Sequence, residues 1–140
     1  MHLTIDGYGG DRELLSSETL LSSLLDRFPG EIQMTKISQP LVMRYVGDKP
    51  EDWGVSGFVL IAESHIAVHT FPERGYVWCD IFSCKGFDAD GAVDRVVAAF
   101  GLQDASVVKL ERGLEYPHDV TAARPIAMGE RVAVAGGLAE

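Results

Sequence analysis

The chain has 140 residues, 46% hydrophobic and 24% charged, which describes one globular domain and excludes both a multidomain assembly and a disordered chain. Its 12 Lys and Arg against 21 Asp and Glu leave a formal net charge of −9, a field that repels phosphate backbones and anionic lipid heads and favours a small cationic ligand. Apolar runs stop at about five residues against the roughly 20 of a membrane span, and no basic patch with an apolar stretch opens the chain. A cytoplasmic protein with no membrane or nucleic-acid partner is therefore expected.

Residues 3–8 alternate apolar with polar and predict a strand closed by Gly9-Gly10. Leu20, Leu21, Leu24, Leu25 and Phe28 recur at helical spacing after Ser16 and Ser17, either of which suits an N-cap, and Pro29-Gly30 is expected to stop that helix. Residues 32–37 and 41–46 look like strands, separated at Gln39-Pro40. Three more strands are predicted at 57–62, 65–71 and 75–82. The last two are joined by Pro72-Glu73-Arg74-Gly75, which suits a hairpin and antiparallel pairing. Helical spacing returns through Ala92, Val93, Val96, Val97 and Phe100 up to Gly101, and a final strand covers about 106–110. This order predicts an α+β fold, a two-layer sandwich of an antiparallel β-sheet with helices packed on one face, over a single domain at 1–120. Residues 121–140, rich in Ala and Gly, read as a weakly ordered tail. Cys79 and Cys84 are five apart, on opposite faces of an extended strand, so they are expected as free thiols.

The densest chemistry lies in Glu63-Ser64-His65-Ile66-Ala67-Val68-His69. In a strand, His65, Ala67, His69 and Phe71 share one face and Ile66, Val68 and Thr70 the other, so two imidazoles stand side by side; a solvated histidine face is the plain alternative. A zinc site would need a third ligand from a distant carboxylate or Cys84, so no metal is expected. Ser64 lies in no Gly-x-Ser-x-Gly elbow, which argues against a triad hydrolase. His2 and His118 read as surface residues.

Gly54-Val55-Ser56-Gly57, Glu63-Ser64-His65, His69-Thr70-Phe71-Pro72-Glu73-Arg74-Gly75-Tyr76 and Asp80-Ile81-Phe82-Ser83-Cys84 stand in order within residues 54–84. Together they resemble the prokaryotic S-adenosylmethionine decarboxylase family of self-processing pyruvoyl enzymes, with weaker likeness around His2-Leu3 and after Gly86. The resemblance implies autocatalytic cleavage between Glu63 and Ser64. The Ser64 hydroxyl attacks the Glu63 carbonyl to give an ester, loss of the Ser64 α-proton eliminates it, and hydrolysis leaves ammonia and a covalent pyruvoyl group. His69 is then the processing base and Ser56 assists near the scissile carbonyl. The substrate amine forms a Schiff base with the pyruvoyl ketone, and Cys84 is the proton donor after carbon dioxide leaves. Glu73 is implied to bind the ribose hydroxyls, the alternative being a turn carboxylate beside Arg74. Phe71 stands where the family usually has Trp and is expected to face adenine or the sulfonium.

The stretch Asp48-Lys49-Pro50-Glu51-Asp52-Trp53 departs from the family pattern, which usually carries an adenine-stacking Phe here. Trp53 is the replacement considered. This departure bears on the substrate, so a pyruvoyl-dependent arginine or ornithine decarboxylase is the runner-up, Glu51 and Asp52 suiting a basic tail. An unprocessed regulatory or binding homologue is a third reading, disfavoured by the intact Ser64, His69 and Cys84. The family resemblance further implies a homodimer of cleaved protomers, and a product that donates aminopropyl groups for spermidine.

Overall fold

The computed structural model describes residues 1–114; the expected tail at 121–140 and His118 lie outside them. In chain order the elements are β1 (His2–Tyr8), α1 (Arg12–Leu15), α2 (Glu18–Glu31), β2 (Thr35–Lys36), β3 (Leu41–Tyr45), β4 (Gly54–Ala62), β5 (Ser64–Phe71), β6 (Tyr76–Ser83), α3 (Ala89–Phe100) and β7 (Asp104–Leu110). Seven strands form one antiparallel sheet in the order β2-β4-β5-β6-β1-β7, with β3 also pairing β4. The expected α+β sandwich is present.

Alternation sorts each strand into two faces. Leu3, Ile5, Val59, Ile61, Ile66, Val68, Val77 and Ile81 are fully buried, against Leu21, Leu24, Leu25 and Phe28 of α2 and Ala92, Val96 and Phe100 of α3. The helices cover that face because each presents an apolar stripe at 3.6-residue spacing. Among the described helices, none is long and apolar enough to cross a membrane.

Differences from the expected boundaries have local causes. The α2 helix starts where Ser17 caps it, the hydroxyl accepting from Leu20 N at 3.0 Å. It runs through Pro29-Gly30 to Glu31 rather than stopping there. Phe28, Pro29 and Ile32 are all buried, so packing on the sheet outweighs the one N–H a proline withholds near a helix end. Gln33, at φ 61, makes the turn. Ile32 therefore ends a helix instead of opening a strand, and the strand expected at 32–37 shrinks to Thr35–Lys36. The short helix α1 escaped the hydrophobic pattern; Asp11 caps it, accepting from Glu13 N and Leu14 N. At the other end, α3 and its left-handed Gly101 stop (φ 61) match expectation.

Candidate active site

The helix-free face of the sheet carries the histidines of the described residues and most of their exposed aromatic side chains. Register aligns Met43, Ser56, His69, Trp78 and Asp6 in one row across β3, β4, β5, β6 and β1. Two rows away stand Leu60, His65, Phe82 and His2. Around them, Leu41, Met43, Tyr45, Phe58, Leu60 and Trp78 are exposed.

Ser56 and His69 are brought together as register partners, with Ser56 Oγ 2.9 Å from His69 Nδ1. Two glycines explain how β4 holds the serine there. A β-carbon on Gly54 would lie 1.8 Å from the Thr70 carbonyl oxygen, and one on Gly57 would lie 2.5 Å from Leu25 Cδ1. Both positions demand a bare backbone, one for strand β5 and one for helix α2. Thr70 completes the join: its buried hydroxyl accepts from Val55 N at 3.0 Å and donates to the Leu15 carbonyl at 2.7 Å. The shared hydrogen bond fixes the imidazole's rotation, and His69 Nε2 has no hydrogen-bond partner among the described residues.

Strands β4 and β5 are joined by Glu63 alone. Ser64 opens β5 opposite Ile61 and Ser83, with φ 152, a region that residues with a β-carbon avoid. Its Oγ is buried and has no hydrogen-bond partner among the described residues. A buried hydroxyl normally finds one, so Ser64 stands out on this strand as a side chain that the surrounding described structure does not engage. Cys84 follows Ser83 directly and is a half-buried free thiol, while Cys79 is a buried one. Burial pushes the Cys79 thiol up to about 12, which makes it inert.

At the opposite end of the strands, Glu73 is engaged by residues remote in sequence. Arg12 grips it with both Nη2 and Nε, the latter at 3.2 Å, and Trp53 Nε1 donates at 3.1 Å. Arg12 above all, then Trp53, holds the carboxyl below the usual carboxylate range. Arg74 instead pairs with Asp52 at 2.7 Å, so Glu73 takes its cation from Arg12 of α1 rather than from its neighbour in sequence. Trp53 has Arg44 over its ring at 4.1 Å, and Phe71 packs on Trp78 with centroids 4.5 Å apart. The acid patch at Asp52 is thus already neutralised by the hairpin it touches.

Other residues differ from the sequence reading. His2 is partly buried rather than a plain surface group, with Nε2 2.7 Å from Asp80 Oδ1. His65 stacks on Phe58 at 5.6 Å and meets Phe82 edge-on at 6.1 Å; burial there lowers its pKa. Asp80, on the same face as His65, is the partner of His2 that the sequence reading did not foresee. No group of three His, Cys, Asp or Glu suited to a metal occurs among the described residues. One expected pairing is not made within the chain. Ser64 and His69 lie five residues apart on β5, about 16 Å at ~3.3 Å per residue, and alternation assigns Ser64 to the face of Ile66 and Val68.

Comparison with known proteins agrees with this geometry. Residues 1–113 match the family model described as S-adenosylmethionine decarboxylase. A Picrophilus torridus S-adenosylmethionine decarboxylase proenzyme is 35% identical over 129 residues, 91% of this chain and 95% of the relative. The Pyrococcus furiosus proenzyme is 32% identical over 115 residues, 81% of this chain and 78% of the relative. The crystal structure of the Aquifex aeolicus adenosylmethionine decarboxylase superposes with a TM-score of 0.67 at 28% identity, covering 81% of this chain and 89% of that one. With a match spanning the whole described fold and its Glu63-Ser64 connection, the chain belongs to the S-adenosylmethionine decarboxylase family.

Proposed function

We propose that this chain severs itself between Glu63 and Ser64 and then decarboxylates S-adenosylmethionine, as a cytoplasmic homodimer of cleaved protomers. The single observation that carries the reading is the Ser64 hydroxyl, buried without a hydrogen-bond partner among the described residues, on a residue at φ 152. Such a group fits conversion to a terminal pyruvoyl, because none of those residues engages the atom that must attack. When formed, that group supplies an electrophilic carbonyl that accepts the electron pair released with carbon dioxide, which no side chain does.

The chain's own residues fall into matched roles. Ser64 attacks the Glu63 carbonyl, and His69, oriented by Ser56, takes the Ser64 α-proton in the elimination that follows. Cys84, beside Ser83 and hence across from the Glu63-Ser64 connection, returns a proton to the substrate carbon. Glu73 takes the ribose hydroxyls on the oxygen lone pairs that Arg12 and Trp53 leave free, and Phe71 with Trp78 offers an aromatic wall for the adenine or the sulfonium. Trp53 anchors Glu73 in place of the stacking role considered for it. The amino-acid decarboxylase reading is weakened because Asp52, offered to a basic tail, is tied to Arg74. The product is the aminopropyl donor for spermidine.

The dimer follows from reach. His69 sits about 16 Å along the strand from Ser64, too far to serve the Glu63-Ser64 peptide of its own chain. The Ser64 side chain faces the helices, but its backbone borders both faces of the sheet, so a second copy on the helix-free face would bring its own His69 to that backbone and its α-proton. The helix-free face exposes Met43 at 52%, Tyr45 at 60% and Trp78 at 50%, an apolar surface that a like face would cover.

Denaturing mass spectrometry tests the cleavage. The expected result is two pieces, residues 1–63 and 64–140, the second blocked to Edman chemistry. Ser64→Ala should leave one 15.2 kDa species, and Cys84→Ala should cleave normally but turn over slowly. An uncut wild-type chain that ignores phenylhydrazine overturns the proposal.

A further inference from the structure

Past the end of β7 the chain turns back over the sheet, and residues 111–113 lie across the Ser64 end of the helix-free face. Gly113 adopts φ 71. A β-carbon placed on it would stand 3.5 Å from Phe82 Cζ and 3.7 Å from Cys84 Sγ, so this backbone is a wall of the thiol's surroundings. What holds it there is Arg112. Its guanidinium lies 4.1 Å from the centroid of the Phe82 ring, and Nη1 donates to His2 Nδ1 at 3.3 Å.

Because a guanidinium can only donate, His2 Nδ1 must accept, which leaves the ring proton on Nε2 to be donated to Asp80 Oδ1 at 2.7 Å. Three side chains form a chain of fixed polarity, Arg112 to His2 to Asp80, with the guanidinium laid over the Phe82 ring. Its members come from β1, β6 and the segment after β7, 110 and 78 residues apart in the two hydrogen bonds. Among the described residues no carboxylate pairs with Arg112; of these residues, the Phe82 ring and the His2 imidazole are what hold it. Neither partner is needed for the fold's core, which lies on the other face.

We infer that Arg112 is a positioning residue for Cys84: clamped on Phe82 and on the His2–Asp80 pair, it holds the 111–113 strap against the thiol and so sets where the proton donor points. This rests on the reading of Cys84 as proton donor. With the strap in place the Gly113 backbone stands against one side of the sulfur. With the strap released that side opens and the thiol is free to rotate.

The test is the alkylation rate of Cys84 by iodoacetamide, read by peptide mass spectrometry in the full chain and again in the uncut Ser64→Ala chain, with buried Cys79 as internal reference. Arg112→Met should accelerate Cys84 alkylation about 5- to 30-fold, the population change expected from losing a cation–π contact and a hydrogen bond. Cys79 should stay unmodified. Arg112→Lys should fall between, since an ammonium can sit on the ring but cannot span to His2. In the cleaved enzyme Arg112→Met should lower kcat with KM within about two-fold, while cleavage itself persists. Phe82→Leu, which removes the platform without touching charge, should accelerate Cys84 as well. An unchanged Cys84 rate in Arg112→Met, or equal acceleration at both thiols, overturns the inference. The Cys84→Ala measurement above separately decides whether the thiol is the donor, so the two failures are told apart.

Discussion

A buried hydroxyl left without a partner costs about 1–3 kcal/mol, and Ser64 carries one next to a peptide it is proposed to cut. The same logic in reverse governs Glu73, whose carboxylate has more partners than an exposed turn needs. Arg12 and Trp53 bond its charged form, so its pKa lies below the ordinary value. The sign follows from linkage: a carboxyl depressed on folding adds stability above its unfolded pKa, and that stability is lost as pH falls through the lower folded value. Carbon-detected NMR titration of the Glu73 carboxyl should therefore give a midpoint below that of the other exposed glutamates, and Arg12→Met should return it toward 4.5. If Glu73 binds the ribose, Glu73→Gln should raise KM for S-adenosylmethionine about tenfold or more, the loss of one or two charged hydrogen bonds, and leave cleavage untouched. A Glu73 midpoint that ignores Arg12→Met would mean the ion pair does not hold in solution.

At the scale of elements, strand β4 does the positioning, and its two glycines have different neighbours. Gly57 faces side chains of α2, which can yield, so Gly57→Ala should cost about 1–3 kcal/mol by overpacking and still allow cleavage. Gly54 faces the Thr70 carbonyl at a spacing no β-carbon can share. Gly54→Ala must push β4 from β5, break the Ser56–His69 hydrogen bond and slow cleavage far more than its loss of stability explains. Urea unfolding beside a cleavage time course separates the two. The sequence made most of this layout legible because periods of 2 and 3.6 are local signals; β1, β5, β6, α3 and the hairpin at 72–75 fall within a residue or so of where the pattern placed them. Strand β4 instead begins at Gly54, three residues before the expected 57–62 strand, because Gly54, Ser56 and Gly57 give no alternating apolar signal. It misplaced the end of α2 since Pro29 is a local stop signal that burial of Phe28 and Ile32 overrode. The partners of His2 and Glu73 were illegible for another reason. Asp80 and Arg12 lie 78 and 61 residues away, and register, not spacing along the chain, brings them in.

On the scale of the whole molecule the two halves of the site stand at opposite ends of one strand, Ser64 and Cys84 at the start of β5, with His69, Phe71 and Glu73 toward its end. In the proposed dimer a two-fold axis would lay one helix-free face on another, reverse strand direction and set each end of β5 over the opposite end of the partner's, giving two equal sites from one surface. The arrangement makes a prediction that no site confined to one chain would share. Ser64→Ala chains cannot be cut, and His69→Ala chains alone should remain uncut. When the two are co-expressed, a hybrid dimer contains one intact pairing, the Ser64 of the His69→Ala chain facing the His69 of the Ser64→Ala chain. Cleavage should then appear, confined to the His69→Ala chain, which an isotope label on one chain resolves by mass. Failure of the mixture to cut, with hybrid dimers present in native mass spectra, would return His69 to its own protomer and require β5 to bend.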